Sequence, residues 1–195
     1  PKTGICQTYQ HYFGERAGDF IHRPPLKAED MKAKLLFFCD ACHSTVMFRK
    51  SIFEKYNLAY STRSVLEDYE LWTRAVGVTD FVTLPEVYGE YRVSGQNISV
   101  KNADAIGTDM CKIVARCLKE NLGIEVEEQY LSVLNGWNNI FLEASPDRHE
   151  ELLAYLQQLL YQVWTQNLSL KYYQKKALLG AIACKWCWAK YNESW

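Results

Sequence analysis

The sequence predicts a mixed α/β region of about 100 residues followed by an all-α region of about 95. Three observations carry this. Runs rich in β-branched and aromatic residues, at 4–13, 43–49 and 87–93, fall only in the first region. Within that region, helical spacing of apolar residues appears at 64–77, between strand-like runs. After residue 100 only helical spacing remains. The expected units are therefore 1–100 and 101–195.

In chain order, 4–13 reads as a strand, 14–18 as a turn, and 19–25 as an extended segment closed by Pro24 and Pro25. Residues 29–38 have helical letters, 43–49 read as a second strand and 50–56 as a short helix. Phe81–Leu84 is strand-like, and a separate strand, Val87–Val93, is expected after Pro85. Ile106, Met110, Ile113 and Cys117 keep helical spacing up to a stop near Gly123. Val126, Tyr130, Val133, Trp137 and Ile140 predict another helix. Ser145-Pro146 is a start signal for the next, with the stripe Leu152, Leu156, Leu159 and Val163. A last helix is expected from Ser169 onward. On its wheel, Tyr173, Ala177, Gly180, Ala181, Cys184, Trp188 and Tyr191 form a small-residue packing face. Lys171, Lys175, Lys185 and Lys190 lie outside with Leu179, Ile182 and Trp186. Five lysines against Glu193 in 168–195 suit peripheral contact with an anionic membrane. Lysine stems covering a packed helix are the alternative.

Hydrophobic residues make up 48% of the chain and charged residues 23%, which excludes a disordered class. A net charge of −1 gives no general attraction to nucleic acid, and no such partner is expected. Seven cysteines are an odd number without a disulfide framework, and no signal peptide is visible. Reduced thiols and a cytoplasmic location, or the inner face of a membrane, are expected. For the pairs Cys39/Cys42 and Cys184/Cys187, burial as small hydrophobes is favoured over zinc. No apolar run approaches a membrane span. The chain opens on Pro1 and reads as a piece of a longer protein.

The stretch Ser64–Gly77 carries the chemistry. Ser64 and Glu67 have capping-box spacing, and Gly77 can end the helix. Val65, Tyr69, Trp72 and Val76 gather on one face, with Glu67, Glu70 and Arg74 opposite. Glu70 and Arg74 have the spacing of a weak surface ion pair. Asp68 falls at the edge of the apolar stripe, half desolvated yet reachable, as a general base must be. Its place in the first turn is expected to keep it ionised.

Four segments in order, Phe13-Gly14-Glu15, His43–Lys50, Leu66–Trp72 and Leu84–Ser99, resemble the carboxy-terminal half of the catalytic domain of family 2 (GT-A fold) bacterial glycosyltransferases, which assemble surface polysaccharides. The resemblance covers roughly residues 1–100. It implies a partial GT-A fold, a mixed sheet with flanking helices, ahead of the helical region. It also implies an inverting sugar transfer from a nucleotide-sugar donor to a glycan or lipid-linked acceptor hydroxyl. Asp68 takes the place of the base and Glu67 the first member of the Glu-Asp pair, with a capping role. Tyr69 and Trp72 fall on the acceptor side, where core packing explains them equally well. His43 and Arg49 match the strand leading out of the active site.

The departures from that pattern are informative. The family's Asp-x-Asp motif, which holds Mg or Mn on the donor diphosphate, is absent from this chain. So are the nucleotide-binding strands. No metal site and no cofactor are therefore expected here, and the isolated chain is expected to be inactive. Many relatives have His where Ser94 stands, which leaves Arg92 as the candidate diphosphate contact. A sheet left open by a missing half is expected to favour dimerisation. The alternative reading is a non-catalytic interaction or membrane-docking module.

Overall fold

The computed structural model describes residues 2–14, 18–97, 101–137 and 140–191. Glu15 of the first motif, Ile98 and Ser99 of the last, and Glu193 of the basic tail lie outside them.

Strand β1 (Thr3–Phe13) is the centre of a four-stranded mixed sheet. Along one edge it pairs in parallel with β4 (Asp80–Arg92), from Thr3↔Asp80 to Phe13↔Arg92. Along the other it pairs antiparallel with β2 (Phe20–His22) at its carboxyl end and with β3 (Met47–Phe48) at its amino end. The separate strands expected at 81–84 and 87–93 are one strand. Pro85 and Glu86 are accommodated where the register jumps from Thr8↔Leu84 to Tyr9↔Val87, a bulge that spares proline a ladder bond. The strand expected at 43–49 is mostly not one: a 3-10 turn occupies His43–Thr45 and only two residues pair. There the Thr45 hydroxyl accepts the Thr8 N–H (3.1 Å), so a side chain replaces a ladder bond.

Helices α1 (Ala28–Lys34), α2 (Lys50–Lys55) and α3 (Glu67–Ala75) complete the first region. Tyr69 and Trp72 bury their rings completely. The capping box does not form. Ser64 Oγ instead accepts the Leu66 N–H (3.0 Å) and donates to Asp109, which also accepts the Val65 N–H (2.9 Å). Glu70 is likewise no surface residue. Arg74 grips it in a two-pronged pair (2.8 and 2.7 Å), and Arg116 stands 3.7 Å away.

The second region holds α4 (Ala103–Leu122), α5 (Ile140–Glu143), α6 (Pro146–Leu170) and α7 (Lys175–Tyr191). Gly123, at φ +67°, ends α4 where expected. The helix expected over 126–140 is a 3-10 stretch, Glu128–Leu134, that breaks before Gly136. A side chain at Gly136 would collide with the Phe37 carbonyl, so this close approach fixes the break. α6 runs past Ser169 to Leu170, and α7 begins only at Lys175. The face of α7 is also rotated from the expected one. Ala177, Leu178, Ala181, Lys185 and Ala189 are buried, whereas Gly180, Cys184 and Cys187 are exposed. All seven cysteines are free thiols.

One apolar core runs from Ile5 of β1 through Trp72 of α3 and Val114 of α4 to Ala189 of α7. The change near residue 100 is thus a change of secondary structure and not a gap in the packing. No helix among the described residues is long and apolar enough to cross a membrane.

Candidate functional site

α3 leads through a short turn into the start of β4, so its amino end points toward the carboxyl ends of β1 and β4. The 3-10 turn meets it there, held by the bond from Gln10 Nε2 to Ser44 Oγ (2.5 Å). Ligands of sheets with parallel strands gather at this end. Two carboxylate–imidazole pairs occupy it. Asp68 Oδ2 stands 3.5 Å from His43 Nδ1, and Asp40 Oδ1 stands 3.1 Å from His22 Nε2. Between them lies the Cys39 thiol, pushed up by burial and then by the charges of Asp68 and, more weakly, Asp40.

Asp68 keeps 20% of its side chain exposed. Its Oδ1 accepts the Tyr69 N–H at 2.6 Å, which leaves Oδ2 as the free proton acceptor facing His43. Burial raises its carboxyl above the ordinary aspartate range, and the Glu67 charge adds to this. The Tyr69 N–H and His43 oppose it without cancelling it. The helix end does not win here: desolvation outweighs it. A raised pKa makes a carboxylate a stronger base.

His43 is held from behind. Its Nε2 shares a hydrogen bond with the Tyr60 hydroxyl (3.0 Å), and its ring packs edge-on against Trp72. Trp72 therefore supports the site without being reachable by a ligand, and its buried indole N–H has no hydrogen-bond partner among the described residues. Tyr69 points away into the core, donating its hydroxyl to the Leu35 carbonyl (2.9 Å). Glu67 is the first residue of α3 and acts on the site through its charge.

The remaining expected residues lie elsewhere. Arg49, whose N–H reaches the Gly4 carbonyl (2.8 Å), sits at the opposite end of β1. Arg92 is exposed at the carboxyl end of β4, with its guanidinium over the Phe13 ring. Ser94 is occupied in a turn, its N–H and hydroxyl both donating to Asn97 Oδ1. The roomy cavity walled by Lys2, Arg49 and Lys55 lies elsewhere and is not lined by Asp68.

Sequence reading missed Asp40, His22 and Tyr60. Asp40 was masked by the Cys-x-x-Cys pattern around it, and His22 reaches it only through the β1–β2 pairing. No group of three or more His, Cys, Asp or Glu among the described residues could hold a metal ion. No family of known sequences, no curated protein and no solved structure matches the chain.

Proposed function

We propose that this chain is the acceptor-side part of an inverting glycosyltransferase, with Asp68 as general base. One observation supports this above the others. A half-buried carboxylate of raised pKa stands beside the 3-10 turn that crosses β1, with one oxygen fixed by backbone and the other facing His43 at 3.5 Å. In the reaction, Oδ2 takes the proton of the acceptor hydroxyl as that oxygen attacks the anomeric carbon of a nucleotide sugar. The bond from that carbon to the diphosphate breaks on the opposite side, giving inversion without a covalent intermediate. His43 and Tyr60 position the carboxylate. Donor binding belongs to residues outside this chain.

The test is Asp68→Asn in the full-length protein. Loss of a general base costs about 10²–10⁴-fold in rate. A drop of that size with an unchanged circular dichroism spectrum supports the reading, and undiminished transfer removes Asp68 from the mechanism. In the unsubstituted protein the acid limb of kcat/KM should lie above the ordinary aspartate range.

A docking module is the second reading, favoured by one observation. Residues 152–192 contain no Asp or Glu, and Leu170 and Leu179 are each 54% exposed beside Lys171, Lys175 and Lys176. Lys185, counted outside by the wheel, lies in the core and does not contribute. Co-sedimentation with anionic vesicles, lost in Leu179→Ser and Lys175→Ala/Lys176→Ala, would support peripheral membrane contact.

A further inference from the structure

A cavity of about 710 Å³ lies at the other end of the sheet from Asp68. The start of β1, α2, the turn from α3 into β4, and the Tyr172–Gln174 segment wall it in. From Asp68 to Val76 along α3 is about 12 Å, so this is a separate place. Four cations line it, Lys2, Lys32, Arg49 and Lys55, against two carboxylates, Glu29 and Asp80.

Two of these cations already meet aromatic rings of the fold, Lys32 that of Tyr172 and Lys55 that of Tyr56, whose centre is 4.9 Å from its ammonium. Lys32 is fixed, donating to the Tyr172 carbonyl (3.1 Å) with its ammonium 3.6 Å from the centre of that ring, and burial lowers its pKa. Lys2, Arg49 and Lys55 form no ion pair among the described residues. The acid on α2, Glu54, is engaged by Lys50 instead (3.5 Å). Arg49 has its backbone anchored on β1, and its side chain forms no hydrogen bond or ion pair among the described residues, so its planar fork is positioned from a rigid base. Tyr56, 42% exposed, offers a ring at the same rim.

An excess of two positive charges suits a phosphate dianion, and Arg with Lys is the usual donor set for one. The volume lies within the ordinary range for small-molecule sites, about 300–1,000 Å³. It leaves room beside the phosphate for a further group at the rim that Tyr56 and Lys55 share. We propose that this cavity binds a phosphomonoester, with Arg49 and Lys55 gripping the phosphate. The proposal is independent of sugar transfer at Asp68.

The experiment uses the whole 195-residue chain and titration calorimetry with uridine monophosphate, and with uridine as the neutral control. Saturable one-to-one binding of the monophosphate, with none for uridine, is expected. Arg49→Ala/Lys55→Ala should weaken it about tenfold or more, the equivalent of at least about 1.4 kcal/mol. Lys175→Ala/Lys176→Ala, which removes two exposed lysines outside the cavity, should leave it unchanged. Both changed pairs are exposed, and circular dichroism checks that the fold survives.

A second arm presents the same headgroup on a surface, as vesicles containing phosphatidic acid. Sedimentation that the Arg49/Lys55 variant alone loses would assign the site to a lipid headgroup. Binding of the nucleotide alone would assign it to a soluble ligand. No saturable binding of either probe, or equal binding by the Arg49/Lys55 variant, overturns the proposal.

Discussion

Two ionisable side chains, one in each region, face burial and meet it differently. Asp68, in the α/β region, is withdrawn from water only in part and is met by a backbone N–H and an imidazole. Lys185, in the helical region, is completely buried, and its Nζ donates to the Asn135 carbonyl at 2.7 Å. Each is pushed toward its neutral form. Asp68 rises, while Lys185 falls to about 7 through desolvation, with nearby Cys111 opposing weakly. The difference lies in access: a solvent-reachable carboxylate can exchange its proton with a ligand, and a sealed ammonium can only load the fold.

Neutral polar groups show how burial is tolerated in both regions. Gln7 is fully buried, and its Oε1 accepts the Cys42 N–H (2.7 Å) while its Nε2 donates to Thr83 Oγ1 (3.1 Å). Asn167 closes the end of α6 with both ends of its amide on Tyr173. Amides bonded at both ends avoid the desolvation cost that a buried charge retains. Removing one is therefore expected to have the largest effect. Gln7→Leu should lower stability by about 2–3 kcal/mol, because it orphans the Cys42 N–H; urea denaturation measures this.

Lys185→Met probes the other side of the comparison. A lysine with a depressed folded pKa binds fewer protons folded than unfolded between about pH 7 and its ordinary range, so stability rises with pH across that window. The variant should lose that slope and gain on the order of 1 kcal/mol near pH 6. Melting temperatures recorded from pH 6 to 10 separate the two curves. A parallel pair of curves would mean that Lys185 is not sealed.

Between the regions, Arg116 donates to Thr73 Oγ1 (2.8 Å) and pairs with Glu120 (3.0 Å). Arg116→Ala should cost about 1 kcal/mol in denaturant unfolding. The smallest effect is expected for Asp68→Asn in this chain. A raised carboxyl pKa means that stability falls as pH rises from the ordinary aspartate range through the folded value. The amide escapes that loss, so the variant should be slightly the more stable at pH 7 and equal to the parent at pH 3.

Much of α3 was legible because its signal is local: apolar spacing, acidic first turn and length. Asp68 could be singled out for the same reason. The continuity of β4 was not, since Pro85 reads as a breaker until the partner strand shows a bulge. The 43–49 segment carries strand letters, but Thr45 bonds through its side chain where the backbone would pair. The phase of α7 depends on what faces it. Its small residues suggested one packing face, whereas Lys185 reaches inward to a carbonyl fifty residues away in sequence. The Asp40–His22 pair needed the β1–β2 register and had no local signature at all.

The most direct measurement is a carbon-13 NMR titration of the Asp68 carboxyl in this chain. The expected midpoint lies above about 3.9, the value of an unperturbed aspartate, and moves higher in His43→Ala as the opposing imidazole is removed. A midpoint at or below the unperturbed value would contradict a desolvated carboxylate poised as a base.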